Sequence, residues 1–127
     1  MLGRFQHSCL RLEVHAPGAA VGQALTRASQ FRQWLAPQYF GPGLPERLTQ
    51  GLTFTTGLGP LTLEHRVDYL SDNALRLLLS RSVDGFQEWS WGDGWVQSRL
   101  EGVSLLPLNL SQTACLWRLR QFLESRS

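Results

Sequence analysis

A tryptophan-rich segment from Gly85 to Leu100 constrains the fold of this chain more than any other part of its sequence. At its centre lies Asp93-Gly94, a dipeptide typical of a two-residue type I′ turn, in which both central residues have a positive φ. A turn at this dipeptide predicts a β-hairpin with these cross-strand pairs: Gly92 with Trp95, Trp91 with Val96, Trp89 with Ser98, and Glu88 with Arg99.

The predicted register gives the hairpin one charged face and one apolar face. Glu88 and Arg99 lie opposite each other on the charged face. The apolar face carries Trp89, Trp91, Val96 and Leu100. Side chains of this size need a cover, so the segment predicts a sheet with a deep apolar face.

The composition of the chain fits one domain over residues 1–127 and excludes several enzyme classes. All 12 of its Lys and Arg residues are arginine. Schiff-base chemistry, pyridoxal phosphate and the phosphate loop of nucleotidases each need a lysine amine. Arginine cannot replace that amine because it stays protonated at working pH.

Charge and cysteine content set further expectations about partners. The net charge of +2 comes without a basic cluster, which argues against nucleic-acid binding. Cys9 and Cys115 lie far apart with no histidine near them, so we expect neither a metal, a cofactor nor a disulfide. No segment reads as a signal peptide or membrane span, so we expect a cytoplasmic protein.

The first third of the chain reads as one strand followed by two short helices. Alternation predicts a strand over 4–14, with Leu10, Leu12 and Val14 on one face. A helix is predicted from Pro17 to Ala28, and a second one capped by Ser29 and ended by Pro37. The proline- and glycine-rich stretch from Ala36 to Pro45 predicts a loop.

The middle of the chain reads as an antiparallel meander of five strands. The clearest period of two, over 61–70, places Leu61, Leu63, His65, Val67 and Tyr69 on the inner face. The next strand places Leu75, Leu77, Leu79, Arg81 and Val83 on that face. A three-residue loop between the strands sets Val67 opposite Leu77 and Asp68 opposite Arg76.

A helix capped by Asn109 or Ser111 is predicted to end the chain. Its apolar stripe consists of Cys115, Leu116, Leu119, Phe122 and Leu123. Trp117 falls almost opposite this stripe, beside Leu110. It marks either a homodimer contact or a residue packed under the loop from Ala36 to Pro45. A meander buries one face, so the long helix is its natural cover and the fold class is α+β.

This order of elements resembles the helix-grip fold of the START/Bet v 1-like (SRPBCC) superfamily, in its polyketide cyclase/dehydrase-like branch. The motifs are Leu12-Glu13-Val14-His15-Ala16-Pro17 leading into Val21, then Trp34-Leu35-Ala36-Pro37, then Gly51 before Leu52-Thr53-Phe54. The resemblance implies a curved antiparallel sheet that wraps the C-terminal helix. It also implies an apolar cavity between them, of the kind used for lipids, sterols, polyketides or plant hormones.

Seven residues on the expected inner face are candidate ligand contacts: His65, Tyr69, Arg81, Gln87, Trp89, Trp91 and Ser98. His65 is the candidate general base, or else a core histidine bonded to Tyr69 or Ser98. Arg81 suits a carboxylate or phosphate at a cavity mouth, or else only its aliphatic stem packs on the sheet.

Binding of a small hydrophobic ligand (a lipid, isoprenoid or polyketide-like molecule) is the leading hypothesis for function. The first alternative is a cyclase or dehydratase with His65 as base and Arg81 or Tyr69 as polariser. The second is a protein-interaction module with a filled core and an exposed Trp117. We expect a narrow pocket with His65, Gln87 and Ser98 as its main polar lining, because Phe54, Trp89, Trp91 and Leu119 fill much of the space.

Overall fold

The computed structural model describes residues 3–35 and 38–125. Its elements follow the predicted order, with two short helices after the first strand and a long helix at the end. They are β1 (Arg4–Glu13), α1 (Gly18–Thr26), α2 (Ala28–Trp34), β2 (Tyr39–Phe40), β3 (Thr53–Leu58), β4 (Leu61–Leu70), β5 (Ala74–Arg81), β6 (Asp84–Gly92), β7 (Trp95–Ser104) and α3 (Leu108–Ser125). The predicted α+β helix-grip fold is confirmed.

The strands form a single seven-stranded sheet in the order β1-β7-β6-β5-β4-β3-β2. Every neighbouring pair is antiparallel. Sequence-adjacent strands pair from β2 to β7, while β1 adds to the far edge beside β7. The sheet curves around the three helices, which lie on its apolar face.

The tryptophan hairpin has the predicted register, with Trp91 opposite Val96 and Trp89 opposite Ser98. The predicted type I′ turn is wrong, because Gly94 has a φ of 81° while Asp93 is not among the residues with positive φ. The Asp93 carboxylate instead accepts a hydrogen bond from the Gly18 N–H at 2.6 Å. The turn is therefore fastened to the start of α1, and the glycine alone supplies the left-handed conformation.

A β-bulge at Asp68 changes which side chains of β4 face inward. Val67 lies opposite Leu77 as predicted, but the register then shifts and Tyr69 lies opposite Arg76. The bulge reverses the predicted orientation of Tyr69, which is 51% exposed on the outer face. Leu70 takes the inner position and packs against the core. Asp68 keeps its predicted partner through an ion pair with Arg76 at 3.7 Å.

The predicted loop from Ala36 to Pro45 contains the two-residue strand β2, which pairs with the end of β3. Ala36 and Pro37, where the preceding helix was expected to end, lie outside the described residues. The Tyr39 hydroxyl donates to the Gly59 carbonyl at 3.0 Å. The tyrosine side chain lies so close to Gly57 that a Cβ there would collide with its ring.

The boundary between α1 and α2 differs from the prediction. Arg27 is extended and separates the two helices, and the Ala28 N–H donates to the Glu46 carbonyl at 2.8 Å. Ser29 lies inside α2 rather than capping it, and its N–H and hydroxyl both donate to the Glu46 carboxylate. These hydrogen bonds lower the pKa of Glu46 from its ordinary value. A long-range contact thus replaces the local cap.

Helix α3 begins at Leu108 and is capped from β1 rather than by Asn109 or Ser111. The Gln6 side-chain oxygen accepts from the Leu108 N–H at 3.0 Å, and its amide donates to the carbonyls of Ser104 and Leu106. The predicted apolar stripe is confirmed, with Leu116, Leu119 and Leu123 buried. The same face also buries Leu108 and Gln112.

Candidate functional site

A cavity of about 190 Å³, partly open to solvent, lies between the sheet and the helices. Its floor is the inner face of β3, β4, β5 and β6, and its walls are α2 and the first half of α3. Most of its lining is apolar, including Phe31, Trp34, Phe54, Leu63, Leu77 and Leu79. The narrow pocket expected from the sequence is therefore present.

The cavity exists because α3 packs chiefly against one side of the sheet. Its main partners among the strands are β1 and β7, and it also meets α1 and α2. Toward β3 the cover comes from α2 instead, whose Phe31 and Trp34 are buried. Phe31 lies 6.4 Å from Phe54 between ring centroids, and Trp34 meets Trp89 edge to face at 6.2 Å. These aromatic side chains line the space without filling it.

The mouth of the cavity is marked by lining residues that also reach solvent. Leu58 and Leu61, at the turn between β3 and β4, are 48% and 38% exposed. Ser111 of α3 lines the cavity as well, and it too is exposed. Solvent therefore reaches the cavity near these residues.

His65 is the most buried titratable group in the cavity wall, at 8% exposure. Its ring stacks on Phe54, with centroids 4.7 Å apart and planes within 5°. The Nε2 atom is hydrogen-bonded to the Thr56 hydroxyl at 3.0 Å, and Nδ1 is buried without a partner. Burial lowers the pKa of His65 to about 4, so the imidazole is neutral at pH 7.

A polar network behind the cavity joins α3 to the sheet. The Ser8 hydroxyl donates to the Gln112 side-chain oxygen at 2.6 Å. The Gln112 amide donates to the Ser98 carbonyl at 2.8 Å and to the Ser98 hydroxyl at 3.1 Å. Gln87 also donates to that hydroxyl, at 3.4 Å, and it lines the cavity beside Gln112. The network satisfies buried polar atoms and fixes the helix on β1 and β7.

Three of the seven predicted ligand contacts line the cavity: His65, Gln87 and Trp89. Ser98 is fully buried but lies behind the wall, bonded to Gln112 and Gln87. Trp91 packs on α1, where a Cβ at Gly22 would come within 3.0 Å of its Nε1. Ser98 and Trp91 thus belong to the packed core around the cavity.

Tyr69 and Arg81 do not approach His65 through the cavity. The bulge turns Tyr69 outward, and Arg81 has a φ of 78° with its side chain 60% exposed. The Arg81 guanidinium lies 3.8 Å from the Glu64 carboxylate on the outer face. Since neither side chain lines the cavity, the predicted mechanism with Arg81 or Tyr69 as polariser does not assemble.

Two residues of the site were missed by sequence reasoning. Thr56, rather than Tyr69 or Ser98, is the hydrogen-bond partner of His65. Alternation with Phe54 places Thr56 on the inner face of β3. Only the pairing of β3 with β4, however, brings the threonine next to the histidine. Gln112 lies one turn before Leu116 on the apolar stripe, so extending that stripe toward the N-terminus would have found it.

The outer face of α3 carries Trp117 and Leu110, which are 54% and 66% exposed. Trp117 is therefore not packed under the described part of the loop from Ala36 to Pro45, and a homodimer contact there stays a prediction. Within residues 3–35 and 38–125, no group of three or more His, Cys, Asp or Glu side chains is arranged to hold a metal ion. No helix in the same ranges is long and apolar enough to cross a membrane.

Comparison with known proteins gives no matching family model and no matching curated protein. Solved structures do match. Protein MLL2253 from Mesorhizobium loti has a TM-score of 0.71 at 14% identity, covering 96% of this chain and 99% of its own. The Aha1 dimer from Colwellia psychrerythraea, solved in solution, has a TM-score of 0.70 at 12% identity, covering 94% and 96%.

A third match is DynU16, a protein of the dynemicin biosynthetic locus. It has a TM-score of 0.70 at 17% identity and covers 95% of this chain but 48% of its own, so this chain corresponds to about half of that protein. At such identities the matches concern architecture. The chain shares its α+β helix-grip fold with these three proteins.

Proposed function

We propose that the protein binds a small hydrophobic molecule in the cavity between the sheet and α3. The observation that carries this proposal is a mostly apolar cavity whose described lining includes a buried polar atom without a partner, Nδ1 of His65. Well-packed cores seldom leave such a volume, and buried polar groups seldom lack a partner. A bound molecule would fill the volume and give Nδ1 of His65 a hydrogen-bond partner.

The volume limits the size of the molecule. An apolar cavity of about 150 Å³ holds benzene, whereas typical drug-sized ligands need about 300–1,000 Å³. At about 190 Å³ this cavity suits a single ring or a short isoprenoid chain. A sterol or a two-chain lipid would not fit without a large rearrangement of α2 or α3.

The similarity to DynU16 supports a ligand of natural-product character. That protein is encoded in the dynemicin biosynthetic locus and matches nearly all of this chain in fold. We therefore place polyketide-like single-ring compounds beside isoprenoids as the first classes to test.

A matched pair of substitutions on β5 tests the proposal. Leu79 lines the cavity, whereas Leu78 lies on the other face and is 38% exposed. Leu79→Phe should fill part of the volume with its ring and weaken binding of one-ring probes at least about tenfold, since a probe then fits only by displacing packed side chains. Leu78→Phe adds the same ring outside and should leave binding unchanged.

The measurement is native mass spectrometry of freshly purified protein, followed by titration with one-ring aromatic and monoterpene probes. Retained ligand or saturable binding, lost in Leu79→Phe alone, supports the proposal. Ligand-free protein that binds none of the probes would contradict it, as would equal binding by the two variants.

A further inference from the structure

We propose that the cavity selects a neutral ligand carrying a hydrogen-bond acceptor such as a carbonyl oxygen, which accepts from an N–H at Nδ1 of His65. This inference rests on the proposed binding function and names the chemical class of the ligand. It follows from the hydrogen bonding of His65 and Thr56, together with the absence of charge in the cavity wall.

The proton of neutral His65 can lie on Nε2 or on Nδ1, and the two choices leave different numbers of polar atoms unsatisfied. With the proton on Nε2, the ring donates to Thr56, the threonine hydroxyl proton then has no acceptor, and Nδ1 has no donor. With the proton on Nδ1, the Thr56 hydroxyl donates to Nε2 and only the Nδ1–H is unsatisfied. The second tautomer costs less, since each buried unsatisfied group carries a desolvation penalty.

The stacked Phe54 ring holds this donor in one direction. The Phe54 plane lies within 5° of the imidazole plane, and the hydrogen bond to Thr56 restricts rotation of the imidazole about its Cβ–Cγ bond. A donor that is already oriented loses little freedom when a ligand arrives. Since His65 lines the cavity and its Nδ1 has no protein partner, this oriented donor is free for a ligand.

The cavity offers no partner for a charged ligand. Among the described residues that line it there is no Asp, Glu, Lys or Arg. Arg81, the cation expected at the mouth, points away toward Glu64. A carboxylate buried here would lose its hydration without an opposite charge, which is far more costly than burying a ketone. The cavity thus discriminates against acids of the same shape.

The tautomer can be tested without any ligand. Two-bond ¹H–¹⁵N NMR spectra of the imidazole at pH 7 should show a protonated Nδ1 and an unprotonated Nε2 for His65. In Thr56→Val the Nε2 atom no longer accepts a hydrogen bond from the Thr56 hydroxyl. The spectrum should then shift toward a mixture of the two tautomers. Thr55→Val, on the same strand and outside the cavity wall, is the matched control and should leave the spectrum unchanged. A wild-type His65 protonated at Nε2 would overturn the inference.

Ligand choice is tested with three probes of one shape: ethylbenzene, acetophenone and benzoate. Acetophenone should bind wild-type protein about tenfold more tightly than ethylbenzene, the factor that one hydrogen bond supplies. Benzoate should bind more weakly than either. In His65→Phe, which keeps an aromatic ring but has no donor, acetophenone should lose its advantage and bind no more tightly than ethylbenzene.

The outcomes separate this inference from the proposed function. Equal binding of acetophenone and ethylbenzene by wild-type protein, or tight binding of benzoate, would overturn the selectivity while leaving ligand binding intact. Absence of binding by all three probes and by monoterpenes would overturn the proposed function, and the inference with it.

Discussion

The inner side of the sheet has two halves that are built from similar residues and packed differently. The packed half, defined by Val14, Val21, Trp91, Val96 and Leu119, lies between α1, α3 and the β1–β7 side, and its members are 0–5% exposed. The cavity half, defined by Phe54, Leu63, His65, Leu77 and Leu79, encloses empty volume beneath α2. Both are mostly apolar, so hydrophobicity alone does not decide which half is filled.

The position of α3 makes the difference. Gln6 caps its first turn and Gln112 bonds to Ser8 and Ser98, so the helix runs along β1 with its polar contacts fixed. Sliding α3 toward β4 to close the cavity would break these buried hydrogen bonds, each costly to leave unmade. Buried polar groups on one side of a core can therefore hold open a cavity on the other.

Truncating one leucine in each half should give the largest losses in the free energy of unfolding, and the loss should be greater in the packed half. Leu119→Ala should lower the free energy of unfolding by about 4 kcal/mol, since it creates a new void in a filled region. Leu79→Ala should cost about 2 kcal/mol, because a side chain facing a void already lacks contacts on that side. The two are compared by urea unfolding at pH 7. Equal losses would mean that the cavity half is as tightly packed as the other.

Removing the hydrogen bonds from Gln112 of α3 to the sheet should have the next largest effect on stability. Gln112→Leu leaves the Ser8 hydroxyl proton without its acceptor and the Ser98 carbonyl without the Gln112 amide. It should lower the free energy of unfolding by about 3 kcal/mol. Gln121→Leu, an exposed position on the same helix, is the control and should change stability little. A stable Gln112→Leu protein with an unchanged cavity would show that packing, rather than the network, positions α3.

Acid should destabilise the protein because His65, in the cavity half, is buried in its neutral form. Burial lowers the pKa of His65 to about 4 from an ordinary value near 6.5. Between these pH values the unfolded chain binds a proton at this site and the folded protein does not, so stability falls as pH decreases from 6.5 toward 4. At pH 5 the loss from this group should be about 2 kcal/mol relative to pH 7.

The His65 contribution is isolated by comparing unfolding curves of wild-type protein and His65→Gln from pH 7 to pH 4.5. The difference between them should shrink as pH falls, because only the wild type carries this penalty. His15→Gln removes an exposed histidine and should follow the wild-type curve. Parallel curves for wild type and His65→Gln would contradict the buried neutral imidazole.

The two cysteines report on burial without changing stability. Cys115 lines the cavity, and burial raises the pKa of its thiol to about 11, whereas Cys9 is exposed on β1. With a disulfide reagent at pH 8, Cys115 should react on the order of 100-fold more slowly than Cys9, because the thiolate is the reactive form. Single-cysteine variants Cys9→Ser and Cys115→Ser separate the two rates. Comparable rates would place Cys115 outside the wall.

Sequence patterns predicted the strands and the helix around the site better than the hydrogen-bond partners of its polar side chains. Alternation and the Asp93-Gly94 turn predicted the hairpin register, and the helical stripe predicted the buried face of α3. The bulge at Asp68 has no local signal, and it turned Tyr69 outward. The cap of α3 by Gln6 and the bond between Thr56 and His65 depend on strands that pair only in the folded chain, so short-range patterns could not reveal them.

Binding of xenon tests directly whether the buried apolar volume between the sheet and the helices lies in the cavity half. Xenon enters dry apolar cavities of this size. Under xenon pressure, methyl NMR signals of Leu63, Leu77 and Leu79 should shift with saturation, while those of Val21, Val96 and Leu119 stay in place. Shifts at Leu119 and Val96, or no saturable shifts at Leu77 and Leu79, would contradict this distribution of empty volume.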